Sequence, residues 1–187
     1  GRRRRFVIGG RAGHNLDGAG GEPAASTEGF AVLRQALLVA SRSERVRRVV
    51  ETAPFSDEVV RRFIAGETIE DALRVTGDLT AEGLLVTMDV LGEDTHDKER
   101  AEANVQHYVE LLERLGAAGL GTRAEVSAKL SALGQTFDED LALANARRIC
   151  AAARDAGTTV TLDMEDHTTV DSTLRIVHEL RRDFPDV

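Results

Sequence analysis

The sequence predicts an α/β fold in which parallel strands alternate with helices. Two short apolar, β-branched runs carry this prediction, at residues 126–133 and 159–166, and each ends abruptly in charged residues. Lys129 closes the first run, and Asp163 begins an acidic cluster that closes the second. About one helix separates the runs, and sites in parallel sheets are built where the chain leaves each strand. Lys129 and Asp163 are therefore the best candidates for chemistry.

Composition limits the classes of function. With 187 residues, 42% of them hydrophobic and 30% charged, the chain can form one ordinary domain with a real core. The net charge of −8 disfavours nucleic-acid binding, because phosphate contacts need a concentrated basic surface. Cys150 is the single cysteine, so an internal disulfide is excluded and a reducing compartment is expected. Its helical, apolar neighbours indicate a buried thiol and not a nucleophile.

The first 80 residues are expected to precede the sheet. Residues 1–30 are rich in glycine and arginine and predict a disordered leader. Residues 31–80 have a helical period and predict an N-terminal helical arm. Its second helix is expected to extend through Ile64, and Thr68 to open the third.

From residue 81 onward, runs of strand type alternate with amphipathic helices. Strands are predicted at residues 83–88, 125–130 and 158–162, and the first is apolar throughout, as for a strand covered on both faces. The intervening patterns predict helices with an apolar face from Ala101 to Leu115, from Asp138 or Asp140 to Gly157, and from Thr169 to Arg182, with Leu174, Ile176, Val177 and Leu180 turned inward.

The order of these elements predicts an incomplete (β/α)8 TIM-type barrel. Right-handed crossovers would place the three strands side by side, so residues 81–187 would form the first three β/α units. Val-Thr-Met-Asp at residues 86–89 resembles Val-Thr-Leu-Asp at residues 160–163, which indicates a repeated structural solution at two strand exits. An open three-stranded α/β layer is the alternative.

A lysine at the end of a buried strand needs a nearby anion, because burial disfavours the ammonium. A substrate carboxylate or Asp163 would supply it; equally, Lys129 and Asp163 would form an ion pair that only joins two strands. The acidic cluster of Asp163, Glu165 and Asp166 lacks a second set of ligands, so a metal site is not predicted. Asp166 more simply caps the following helix.

At this point the motifs resemble those of a known family. Ser-Ala-Lys-Leu-Ser-Ala-Leu at residues 127–133, followed by Leu-Asp-Met-Glu-Asp at residues 162–166, resembles the proline dehydrogenase family, in its bacterial monofunctional form. Asp-Val-Leu-Gly-Glu at residues 89–93 matches that family's first strand exit. The resemblance covers residues 31–187.

The resemblance implies a distorted barrel that binds FAD non-covalently and oxidises L-proline to Δ1-pyrroline-5-carboxylate, with a quinone as the final electron acceptor. Lys129 resembles the lysine that contacts the proline carboxylate, and Asp163 the aspartate that lines the proline site beside it. Glu93 resembles the glutamate that pairs with a substrate-binding arginine and gates the site. The flavin-binding residues are expected mostly beyond residue 187, and the enzyme is expected in the cytoplasm or at the inner membrane face. We therefore expect the chain alone to be inactive.

Two other functions are open on this evidence. A barrel aldolase would use Lys129 as a Schiff-base nucleophile. Such a lysine needs a lowered pKa, whereas a neighbouring Asp163 would raise the pKa of Lys129. A non-catalytic α/β fragment would use an open sheet edge as an interaction surface. The oligomeric state is not predicted.

Overall fold

The computed structural model describes residues 5–11, 64–91 and 95–187. Within these ranges, strands and helices alternate from residue 85 onward. The strands are β1 (Arg5–Arg11), β2 (Ile64–Gly66), β3 (Leu85–Leu91), β4 (Ala124–Lys129) and β5 (Val160–Asp163), and the helices are α1 (Ile69–Ala81), α2 (Lys98–Ala117), α3 (Glu139–Ala156) and α4 (Val170–Asp183). A 3-10 turn, Ser131–Leu133, follows β4. The predicted α/β class is confirmed, while the barrel stays a prediction.

The described strands form one sheet in the order β2-β1-β3-β4-β5. Strands β3, β4 and β5 are parallel, as predicted, and Val126 lies opposite both Met88 and Val160. The same register places Lys129 opposite Asp163 at the ends of β4 and β5. The carboxyl ends of the three parallel strands therefore share one edge of the sheet.

Two predictions before residue 81 were wrong. Residues 5–11, expected in a disordered leader, form β1, which pairs antiparallel with β3 along its whole length. Residue 64, expected in a helix, begins the short strand β2 beside β1. Both strands depend on backbone pairing with distant residues, and Gly9 and Gly10 interrupt the apolar run that would reveal β1. The remainder of the leader and the first two predicted helices of the arm lie outside the described residues.

Helix boundaries follow the local capping signals. Thr68, Asp97 and Asp138 are the N-caps of α1, α2 and α3, and each side-chain oxygen accepts a hydrogen bond from the backbone N–H three residues later. Gly157 ends α3 in the left-handed conformation, with φ of 69°. These starts and the stop confirm the predictions at Thr68, Asp138 and Gly157.

The two faces of the parallel sheet differ in chemistry. The buried residues of β3 and β4 alternate along each strand and join residues of all four helices in one core. The intervening residues are mainly polar, and Glu125 accepts hydrogen bonds from the hydroxyls of Thr87, Thr159 and Thr161. The expectation that the first parallel strand is covered on both faces was therefore wrong, since Leu85 is exposed.

Two further expectations concern single side chains. Cys150 is buried, as predicted, and burial raises the pKa of its thiol to about 11. Leu174, predicted to face inward on the last helix, is exposed, whereas Ile176 and Leu180 join the core. Among the described helices, none combines the length and the apolar character required to cross a bilayer.

Candidate functional site

The candidate site lies at the edge where β3, β4 and β5 end. Lys129 is the last residue of β4, and Asp163 is the last residue of β5. Asp89 lies in β3 opposite Ser127, which is two residues before Lys129 and on the same face of β4. The three side chains therefore meet on the polar face of the sheet.

Lys129 is bound between two carboxylates. Its Nζ lies 2.5 Å from Asp89 Oδ2 and 3.5 Å from Asp163 Oδ2. The side chains of Lys129 and Asp89 are 28% and 22% exposed, while that of Asp163 is 50% exposed. Asp89 is thus the closer and less exposed partner of Lys129, and Asp163 is the more distant and more exposed one.

Opposing effects act on the pKa of Lys129. Partial burial, the largest single effect, lowers the pKa because it disfavours the ammonium. The hydrogen bonds and negative charges of Asp89 and Asp163 act in the other direction and together prevail, so the pKa of Lys129 is raised. Lys129 is therefore a permanent cation at neutral pH.

Asp89 also has an unused acceptor. Its Oδ2 binds Lys129, while its Oδ1 is buried and has no hydrogen-bond partner among the described residues. An ionised carboxylate accepts hydrogen bonds at both oxygens. The site consequently has a cation for binding an anion and a free acceptor beside it.

The acidic residues after β5 serve two different purposes. The Glu165 carboxylate accepts a hydrogen bond from the Ser131 N–H at 3.3 Å, which joins the exits of β4 and β5. Asp166 Oδ1 accepts hydrogen bonds from the backbone and the hydroxyl of Thr168, in the turn before α4. Throughout the described ranges, no group of three potential metal ligands lies close enough to bind an ion.

The structure brings together two of the three predicted site residues, Lys129 and Asp163. Glu93 lies outside the described residues. Sequence reasoning missed Asp89 as a partner of Lys129, although the repeated Val-Thr-x-Asp pattern contains it. That repeat places one aspartate on each strand that neighbours β4, which is the signal that identifies the pair Asp89 and Asp163.

Three comparisons relate the chain to known proteins. A family model described as proline dehydrogenase matches residues 72–186. Proline dehydrogenase of Deinococcus radiodurans is 36% identical over 154 residues, which are 81% of this chain and 48% of that protein. Proline dehydrogenase 1 of Bacillus subtilis strain 168 is 33% identical over 124 residues, or 66% of this chain and 40% of that protein.

A solved structure shows the same fold. The crystal structure of Bdellovibrio bacteriovorus proline utilization A, inactivated by N-propargylglycine, matches with a TM-score of 0.59 and 19% identity. The match covers 88% of this chain and 19% of that one. The chain spans about half the length, or less, of the relatives it matches. Because the family model covers more than half of the residues, the chain belongs to the proline dehydrogenase family.

Proposed function

We propose that the chain forms the substrate-carboxylate side of an FAD-dependent proline dehydrogenase. In the proposed reaction a hydride leaves a ring carbon of L-proline and the ring nitrogen loses a proton, which yields Δ1-pyrroline-5-carboxylate. A bound FAD would supply the hydride acceptor, and a quinone would be the final electron acceptor. The observation that carries the proposal is the cation Lys129 between Asp89 and Asp163 at the sheet edge of a family member.

The geometry supports a division of labour between the two aspartates. A proline carboxylate that binds Lys129 competes with both of its partners. Asp163 is half exposed and lies 3.5 Å from Nζ, so it exchanges for the substrate more easily than Asp89, which lies at 2.5 Å. Asp89 then keeps Lys129 charged and oriented while Asp163 lines the substrate site.

In this proposal the carboxyl edge of the sheet serves the substrate and not the diphosphate of FAD. At the carboxyl edge, Lys129 is already paired with the carboxylates of Asp89 and Asp163, so the edge is a poor match for a diphosphate. We propose that the residues that bind FAD lie mostly beyond residue 187. Glu93 is proposed, on the resemblance alone, to gate the substrate site.

The location and the acceptor are also part of the proposal. A cytoplasmic enzyme that touches the inner membrane face peripherally would deliver electrons to a quinone there. The free, buried Cys150 is compatible with a cytoplasmic location.

A chimera tests the proposal. Residues 72–186 replace the matching segment of the Deinococcus radiodurans protein, and the product is loaded with FAD. We expect L-proline to bleach the flavin absorbance, and Lys129→Met to raise the KM for proline about 10- to 100-fold, since a charge-assisted contact is lost. Lys98→Met is the matched control, because Lys98 is 72% exposed and pairs only on the surface with Asp138.

Two results would refute parts of the proposal. If the chimera binds FAD but proline does not reduce the flavin, the assigned reaction is wrong. If the Lys129→Met chimera has an unchanged KM for proline, the assigned site is wrong while the assigned reaction is unaffected.

The alternatives differ in support. A Schiff-base aldolase is disfavoured, because Asp89 and Asp163 raise the pKa of Lys129 where a nucleophilic lysine needs a lowered one. An interaction surface is favoured by one observation: a groove of about 360 Å³ beside β5 is lined mainly by apolar residues, among them Leu162 of β5, Val177 of α4 and Phe184 directly after α4. Light scattering that shows concentration-dependent association would support this second function.

A further inference from the structure

The loop that follows β4 is buried although it belongs to no strand or long helix. Leu130 and Leu133 are fully buried, and Ser131 is 7% exposed. Buried backbone carbonyls outside a strand ladder need other hydrogen-bond donors. The loop obtains them from side chains of α2, α3 and the segment just before α2, which donate to three consecutive carbonyls: Asn104 to Ala132 O at 2.8 Å, Asn145 to Leu133 O at 3.0 Å, and Thr95 to Ser131 O at 2.9 Å.

The two asparagines bind the loop from two neighbouring helices. Asn104 lies on α2 and is 6% exposed, and Asn145 lies on α3 and is 3% exposed. Their Nδ2 groups bind adjacent carbonyls, so the loop cannot shift relative to either helix without breaking a buried hydrogen bond. A leucine of similar volume would fill the space but donate nothing.

The loop also connects the strands that form the candidate site. It begins directly after Lys129, and the Ser131 N–H donates to Glu165, which follows Asp163 by two residues. The position of the loop therefore sets where Lys129 ends relative to the end of β5. A displaced loop would lengthen the distances from Nζ to its two carboxylate partners.

We propose that Asn104 and Asn145 are positioning residues that fix Lys129 between Asp89 and Asp163 by binding the loop after β4. A catalytic role for this positioning rests on the proposed function, in which Lys129 binds the proline carboxylate. The positioning itself is a property of this chain and can be measured without substrate.

The lysine content makes the measurement simple. Lys98 and Lys129 are the only two lysines in the sequence, so protein labelled with ¹⁵N-lysine has two side-chain ammonium signals. A hydrogen-bonded ammonium exchanges slowly with water and stays visible at mildly acidic pH, whereas exposed Lys98 serves as an internal reference. Lys129→Met assigns the signals.

The test compares two variants with one control. In Asn104→Leu and Asn145→Leu we expect the Lys129 ammonium signal to be lost or strongly shifted while the Lys98 signal is unchanged. Thr158→Val is the matched control: its buried hydroxyl donates to Ala124 O, at the opposite end of β4. It removes the same kind of bond, from a buried side chain to a backbone carbonyl, but at the end of β4 far from Lys129, and we expect the Lys129 signal to remain.

The outcomes separate positioning from general stability. If the Lys129 signal is unchanged in folded Asn104→Leu and Asn145→Leu, or is lost equally in Thr158→Val, the proposal is wrong. If the leucine variants do not fold, Thr95→Val removes the third donor with little change in volume, and the Lys129 signal must then shift for the proposal to stand. A failure of the chimera to oxidise proline would leave these signals as they are.

Discussion

Replacing each aspartate beside Lys129 by asparagine separates the two ion pairs. Asp89→Asn and Asp163→Asn remove one negative charge without a change in volume, and the asparagine oxygen still accepts a hydrogen bond. The two partners differ in distance to Nζ, 2.5 Å against 3.5 Å, and in exposure, 22% against 50%. The variants should therefore differ in their effect on the free energy of unfolding.

The expected magnitudes follow from this difference. A hydrogen bond to a charged group contributes about 1.5–3 kcal/mol. Asp89→Asn keeps the ammonium donor but gives it a neutral acceptor, which removes the charge–charge attraction of the pair, so the free energy of unfolding should fall by about 1–2 kcal/mol. An exposed ion pair contributes about 0.2–1 kcal/mol, and Asp163→Asn should lie in that range. Asp155→Asn is the control, since Asp155 is 71% exposed and pairs with neighbouring Arg154.

Urea unfolding followed by far-ultraviolet circular dichroism at neutral pH measures these values, because the chain has no tryptophan and one tyrosine. The pKa of Lys129 is raised in the folded protein, so its contribution is present below the ordinary lysine pKa of about 10.4 and is lost as the pH rises through the folded value. The difference between wild type and Asp89→Asn should shrink in that range. An Asp163→Asn variant that is less stable than Asp89→Asn would refute the reasoning.

Three further variants test packing, acid stability and thiol access. Gly121→Ala should lower the free energy of unfolding, measured in urea, by about 1–3 kcal/mol, because its Cβ would lie 2.0 Å from a backbone oxygen of α3. Gly77→Ala adds a Cβ in open space inside α1 and should raise the free energy of unfolding by about 0.5–1 kcal/mol. Equal effects of the two substitutions would contradict the packing argument. Hydrogen bonds from Arg148 and Gln106 lower the pKa of Glu102 to about 2. The stability difference between wild type and Glu102→Gln should therefore be constant above the ordinary pKa of 4.5 and vanish as the pH falls toward 2. A difference that persists near pH 2 would show that the ionised Glu102 carboxylate is not its source. The Cys150 thiol should react with Ellman's reagent only after unfolding, and rapid labelling of the native protein would show that it is accessible.

The sequence determined the elements that depend on local signals. The caps Thr68 and Asp138 and the stop at Gly157 are short-range hydrogen-bond devices, so their positions can be read from neighbouring residues. The pairing of Lys129 with Asp163 could also be predicted, because both residues end adjacent parallel strands. Strand order and polarity in this part of the chain follow from the crossover rule.

Elements that depend on register or distant pairing could not be predicted. The repeated Val-Thr-x-Asp pattern marks Asp89 as a residue near a strand end, but Asp89 becomes a partner of Lys129 only because the register between β3 and β4 places it beside Ser127, and the pattern does not give that register. Strands β1 and β2 pair with residues far along the chain and lack an apolar period of their own. Leu174 illustrates the same limit on a helix, since a one-residue error in the apolar stripe moves a side chain into solvent.

The position of β1 has a consequence for how a barrel would close. An inner strand has backbone groups for two neighbours, and β3 pairs with β1 on one side and β4 on the other. In a closed (β/α)8 barrel the first parallel strand pairs with the last one, on the side that β1 occupies. The two arrangements are mutually exclusive, so closure would require strand exchange at β3, in which an antiparallel neighbour leaves before a parallel one pairs.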